Sequence, residues 1–354
     1  MKGKKKMPGI KAFWFMTVFA AIVLLSANVF AAQISFMAGD VKVVRNGKTQ
    51  SAQFQMKLES GDIVKTGKGA FADVSYDDGT VVKVTESSAV TIGNKNVLGS
   101  DSVSVTSGMI AAKFAKLEKD SARKVYTPTT VCAVRGTEFN VAVSDSADSK
   151  VQMKEGTLDV HNPYGKVEIA GNQNAEINVA KAPAQAQGGE LEKWKNENES
   201  ALDNNPDAKA DDFSLYVKDF QKRSENASKS ISDLEKKKGK AVKGTKENLE
   251  KANKDIELLE GNVEDDMYLN SAANTSIDGI LNRYQKGKKG MYGKYLKVKK
   301  ESNKVLDQQK RNLKAIASVK EAYRKAYDEI IGKHKESIDK IKGSFDKEQV
   351  KPKK

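Results

Sequence analysis

Cysteine and histidine are nearly absent from this chain of 354 residues: there is one cysteine, Cys132, and two histidines, His161 and His334. A single thiol excludes an intramolecular disulfide and any zinc site built on several cysteines. Neither histidine stands in a cluster with metal-ligand spacing. The one nucleophile–base combination on offer is Cys132 with His161, and it needs two neighbouring strands to bring it together. The bland assignments are a small buried hydrophobe for Cys132, a turn cap for His161 beside Asn162 and Pro163, and a helix flank for His334. The glycines around residues 287–293 lack both a following Lys-Ser/Thr and a preceding strand, so no phosphate-binding loop is present. The paired carboxylates Asp77 and Asp78 sit in an Asp-Asp-Gly-Thr turn, where calcium binding is the alternative to turn chemistry, and Asp265 with Asp266 reads as a helix end. The sequence therefore predicts a protein that is not an enzyme and carries no cofactor or metal.

Acidic residues are missing from residues 1–11, which hold five lysines, and all charge is missing from residues 12–30. A basic start, an apolar run and then Val29-Phe30-Ala31 is the order of a secretory signal. Cleavage after Ala31 or Ala32 is one outcome. An uncleaved anchor is the other, because about 19 apolar residues just span a bilayer. No cysteine follows the run, which argues against a lipid-anchored lipoprotein. The formal net charge is +14, and it is uneven: residues 32–180 are balanced, and the excess after the leader lies from Lys181 onward.

Residues 32–180 alternate in short apolar runs, the period of strands with one buried face. Asn46 and Gly47 mark a two-residue hairpin, and Gly108, Gly136 and Gly156 each precede a fresh apolar run. Many short strands with Gly-rich turns predict an all-β domain, wound coil upon coil rather than closed as a barrel. Residues 109–117 read as a strand, with one helical turn as the alternative.

The stretch KVYTPTTVCAVRGTEFNVAV, residues 124–143, is the most distinctive. Proline fits a strand start, glycine a bend, and Arg135 with Glu138 an internal ion pair among small and apolar neighbours. The stretch resembles the signature of the FecR family through Thr127, Pro128, Val131, Ala133, Val134, Arg135, Gly136, Thr137, Phe139 and Val141. GDVKVVRNG, LESGDIVKTG, DDGTVVKV and KVQMKEGTLDVHN stand in the order expected of that family. The resemblance implies a twisted β-solenoid-like domain and a role in receiving a signal from a protein partner in the bacterial envelope.

KAPAQAQGGE, residues 181–190, opens a linker predicted to run to residue 206. From 207 to 346 the composition turns helical. Val217, Phe220, Ser224, Ala227, Ile231 and Leu234 keep the four-three spacing of a coiled-coil seam, resumed at Leu249 after a four-residue stutter. A second stripe runs through Val305, Ile316, Val319, Tyr323, Ala326 and Ile330. Neither helix buries its stripe alone, so an antiparallel helical hairpin is expected, with a possible third helix at 277–284 or self-association through the same stripe as alternatives. Residues 347–354 read as a disordered tail.

One stretch has surface chemistry. Residues 283–300 hold eight basic side chains, Arg283, Lys286, Lys288, Lys289, Lys294, Lys297, Lys299 and Lys300, and no acid. Tyr284, Tyr292 and Tyr295 lie among them. Such a patch suits a polyanion, and for an exported protein an acidic glycan or lipopolysaccharide comes before nucleic acid; the bland alternative is a solvated helical bend. The functional expectation is a non-catalytic envelope module for protein or glycan contact, with sigma-factor regulation across the membrane as the alternative. That alternative needs a cytoplasmic domain, and residues 1–11 are too short to form one.

Overall fold

The computed structural model describes residues 32–93, 102–116, 123–134, 136–241, 246–284 and 289–348. Two β-sheets that share one strand enclose a common apolar core, and helices follow them in the chain. The first sheet has the order β4 (Lys57–Leu58), β1 (Ala32–Ala38), β6 (Phe71–Ser75), β7 (Val81–Val84), β9 (Val103–Lys113), β12 (Glu138–Val143), β13 (Ser149–Glu155), β16 (Asn174–Ile177) and β17 (Ala184–Ala186). The second has the order β3 (Lys48–Ser51), β2 (Val41–Arg45), β5 (Asp62–Thr66), β8 (Ala89–Ile92), β9, β10 (Arg123–Tyr126), β11 (Val131–Val134), β14 (Thr157–Asn162) and β15 (Gly165–Ala170). Every pairing is antiparallel except β9 with β10.

β9 belongs to both sheets. Its residues 103–107 pair with β8 and its residues 108–113 with β12. The change of sheet falls at Gly108, whose φ is +84° and where a Cβ would meet the Ser88 Oγ at 2.2 Å. Only glycine fits both the left-handed backbone and that approach. The strand expected over 109–117 is thus present as the second half of β9. Asn46 and Gly47, with φ of 52° and 77°, form the turn between β2 and β3 as a mirror-image hairpin turn requires. In the 77–80 turn, Asp78 accepts hydrogen bonds from the backbone and hydroxyl of Thr80.

The alternating runs have a physical outcome. Ile34, Val74 and Val82 from the first sheet meet Val43, Val64 and Val90 from the second in one core, all fully buried. Each such side chain contributes about 1.5–3 kcal/mol over an exposed one.

Residues 181–206, expected as a linker, instead hold β17 and helix α1 (Leu191–Asn204). The Pro/Gly signal ends at Gly189, and beyond it Trp194 and Leu202 are buried. Three long helices follow: α2 (Pro206–Ala241), α3 (Lys246–Tyr284) and α4 (Lys289–Glu348). This differs from the two-helix hairpin. The apparent stutter falls where α2 ends and α3 begins, and residues 267–284 belong to the second half of α3. That half shows no clean stripe because it is covered on two sides: residues 266–270 are all buried in succession.

α2 runs parallel to α4. The hydroxyl of Tyr295 donates to the Pro206 carbonyl, the Asn312 amide to Ser224 and the hydroxyl of Tyr323 to Leu234, at sequence separations of 89, 88 and 89. α3 runs antiparallel to α4, through Lys299 with Asp278, Asn303 with Asn274 and Lys320 with Glu260. A buried polar layer of Asn270, Ser302 and Gln309 divides the apolar core of this rod; such a layer penalises slipped registers, which would leave its groups unpaired.

Candidate functional site

The distinctive stretch lies at the joint between the second sheet and the helices. Along β10 and β11, alternate residues face opposite ways. Val125, Cys132 and Val134 enter the sandwich core, whereas Tyr126 and Val131 enter a second core shared with Phe213, Tyr216, Phe220, Tyr268 and Ile277 of the helices. The β-domain and the helical rod are thus joined by common apolar packing.

The turn between these strands is rigid. The Thr127 N–H donates to the Thr130 carbonyl at 2.9 Å. Its hydroxyl oxygen accepts the N–H groups of Thr129 and Thr130 at 3.2 and 3.1 Å and the Ser149 hydroxyl at 2.7 Å. Pro128 is buried, and its carbonyl accepts the hydroxyl of Tyr216 at 3.0 Å. Proline suits this place because its missing N–H leaves no donor to satisfy under the helix.

Asp265 in α3 gathers the neighbouring polar groups. Its Oδ1 lies 2.6 Å from Lys124 Nζ and accepts the Tyr126 hydroxyl at 2.9 Å. Its Oδ2 lies 3.7 Å from His161 Nε2. Tyr126 stacks on Tyr268 with ring centres 4.0 Å apart. Burial by itself would raise the Asp265 carboxyl; His161, Lys124 and Tyr126 together outweigh it and hold the group below its ordinary value. Asp266 next to it turns to Arg223 at 2.8 Å, and there burial wins and the carboxyl is raised. Glu264 is raised too, by burial first and by the Glu260 charge second. Two further ties cross the joint: Tyr164 donates to Asp219 at 2.6 Å, and buried Asp148 pairs with Lys209 at 2.8 Å.

The rest of the distinctive stretch builds the sandwich. Val134, Phe139 and Val141 are fully buried in its core, with Phe139 stacked on Phe114. Ala133 is half-buried. Thr137 accepts the Phe114 N–H at 3.0 Å, and Gly136 takes a φ of +68° with Lys116 pressed where a Cβ would stand. Arg135 lies outside the described residues, and so does its expected pair with Glu138. Glu138 itself has Lys154 at 3.5 Å and Lys113 at 3.8 Å.

His161 and Cys132 lie on paired strands but opposite faces, because His161 is across from Val131 and Val160 is across from Cys132. They do not form a nucleophile–base pair. Burial pushes the Cys132 thiol up to about 12. Among the described residues no group of three or more His, Cys, Asp or Glu is arranged to hold a metal ion.

Three basic residues of the stretch have acidic partners in space. Arg283 pairs with Asp145 and Asp203, Lys294 with Asp207, and Lys299 with Asp278. Tyr284 donates to Asp203. Tyr295 is not a surface tyrosine: it is fully buried and meets Phe213 edge-on at 6.2 Å. Tyr292 is half-buried against the same core. Lys297 and Lys300 are exposed, while Lys286 and Lys288, and the side chain of Lys289, lie outside the described residues. The acids paired with Arg283, Lys294 and Lys299 come from α1, α2, α3 and a β-domain loop, and only Asp278 lies near the stretch in sequence.

Sequence reasoning missed the joint. Asp265 and Asp266 are mid-helix rather than at a helix end, and His161 faces Asp265 from a strand while Asn162 caps the turn by accepting the Tyr164 N–H. No local signal marks Tyr126, Tyr216 or Tyr268 as joint residues.

A β-sandwich bound to a three-helix rod is the class this geometry defines. Residues 62–159 match the family described as FecR protein, and this stretch is a FecR domain. The match starts at β5 and ends within β14, so the outer strands on either side extend beyond it, and it is narrower than the region over which the sequence pieces were read. No curated protein matches the chain. Two crystal structures of a protein assigned as an anti-sigma factor from Parabacteroides distasonis ATCC 8503 are similar, at 19% and 20% identity and a TM-score of 0.32, covering 37% of this chain. The chain spans 62% of the length of those structures. Likeness at that level does not establish a common architecture.

Proposed function

We propose that the protein is a non-catalytic component of the bacterial envelope that serves signalling by protein contact: the FecR domain receives a partner, and the rod is carried rigidly with it. The observation that supports this reading is the joint, where the carbonyl of Pro128 and the side chains of Lys124 and Tyr126 are held by Tyr216 and Asp265. A displacement of the sandwich at that joint is transmitted to α2 and α3 without a hinge. The basic-apolar-small order of residues 1–31 supports export to the periplasm or cell surface, with the leader removed or kept as an anchor. The strand path, which alternates between the two sheets, supports a twisted solenoid-like winding. The in-register seam of α2 with α4 supports coiled-coil-like packing, through which self-association is also open.

The test is genetic. Deletion of the gene in the native host is expected to change transcription of a limited set of envelope genes, with restoration by the wild type and not by a D265A/Y216A variant that is exported at normal level. Full restoration by that variant contradicts the coupling role, and an unchanged transcriptome contradicts the signalling role.

A further inference from the structure

The first sheet carries an aromatic patch on the outer face of β1, where it pairs with β6. Phe36 and Phe54 are 52% and 64% exposed. Phe36 stacks on Phe71 with ring centres 5.6 Å apart, and Lys83 Nζ sits 4.4 Å over the centre of the Phe71 ring. β4 pairs with β1 at Ala32 and Gln33, and hydrogen bonds from Ile34 to Met56 and from Gln55 to Ile34 continue that ladder. Phe54 lies in the turn at residues 53–56 that leads into β4, the neighbour of β1. The β1–β6 pairing shifts register between Ile34 and Phe36. Strict alternation after buried Ile34 would have turned Phe36 inward as well; the irregularity turns it out. Clustered exposed phenylalanines are unfavourable in water and mark an interaction surface.

With the leader kept as an anchor, the position of the patch says what covers it. The charge-free run of residues 12–30 ends two residues before β1 begins, with five lysines ahead of it. From Phe30 to Phe36 the chain spans at most about 20 Å when fully extended. Lys57, opposite Gln33, and Lys83 carry positive charge at the rim, with Asp73 between Phe36 and Lys83 as the one acid of these cross-strand pairs. We propose that the β1 edge lies flat on an anionic lipid surface, with Phe36, Phe54 and Phe71 among the headgroups and Lys57 and Lys83 near the phosphates. Apolar side chains gain by leaving water at that depth, and each lysine adds attraction to anionic lipid. This assignment is independent of the identity of any protein partner.

The experiment uses the full chain with an environment-sensitive fluorophore on a single introduced cysteine, F54C or, on the exposed face of α2, L215C. Buried Cys132 does not compete for the label. With vesicles of phosphatidylethanolamine and phosphatidylglycerol, a blue shift and severalfold rise in emission are expected at position 54 and not at 215, and F36D is expected to abolish most of the rise. No change at position 54, or equal changes at both positions, overturns the proposal. A change at 54 that needs protein concentration and not lipid assigns the patch to a second copy of the chain, and also overturns it.

Discussion

Tyr216 of α2 donates its hydroxyl hydrogen bond to the carbonyl of Pro128, in the turn between β10 and β11, at 3.0 Å, with the tyrosine fully buried. The most recognisable segment of the FecR domain is therefore covered by helix. Replacing Tyr216 by Phe leaves that carbonyl short of a partner and is expected to cost about 1 kcal/mol. Replacement by Ala also opens a cavity beside Phe220 and Tyr164, and the cost should rise to about 3–5 kcal/mol. Urea unfolding of the two variants checks both figures.

Asp265 makes the joint pH-dependent. Its carboxyl is held below its ordinary value, so the unfolded chain binds that proton more readily than the folded one. The stabilisation is complete above the ordinary carboxylate range, about 4, and drains away as pH falls through the folded value. D265N is expected to lose about 2–3 kcal/mol at neutral pH by leaving Lys124 without its charge partner. It should also show a shallower loss of stability on acidification than the wild type, measured by urea unfolding at a series of pH values.

Glu264 works in the opposite sense. Burial and the Glu260 charge raise its carboxyl, so the folded chain holds that proton more tightly and stability falls as pH rises above the ordinary carboxylate range. E264Q is expected to be more stable than the wild type at neutral pH and equal to it where Glu264 is protonated in both the folded and unfolded states. Thermal midpoints at the two pH values measure this.

Gly108 is where one strand serves two sheets. G108A places a Cβ against Ser88 in a left-handed backbone, and a loss of about 3 kcal/mol or more is expected from strain and displacement combined. Soluble yield and the unfolding midpoint report it.

The β-domain was legible because its signals are local. Alternation, the Asn46 and Gly47 turn, and the residues from Val131 to Val141 each depend on neighbours a few positions away. The helices were legible as helices, but their number was not. Burial of α3 on two sides erases the stripe that periodicity needs, and a break between α2 and α3 looks like a stutter when only spacing is read. The joint was illegible for a different reason. Tyr126 meets Asp265 across 139 residues, and nothing near either position signals the other. Within the basic stretch the same holds in reverse: Arg283, Lys294 and Lys299 look unmatched along the chain and meet Asp145, Asp203, Asp207 and Asp278 in space.

The central claim is that the sandwich and the rod are one body held through the turn at Pro128. Distance distributions between spin labels at F54C, in the sandwich, and L258C, far along α3, test it most directly; both sites are exposed. A single narrow distribution that broadens in the D265A/Y216A background is predicted. A broad distribution in the otherwise wild-type chain would contradict the account.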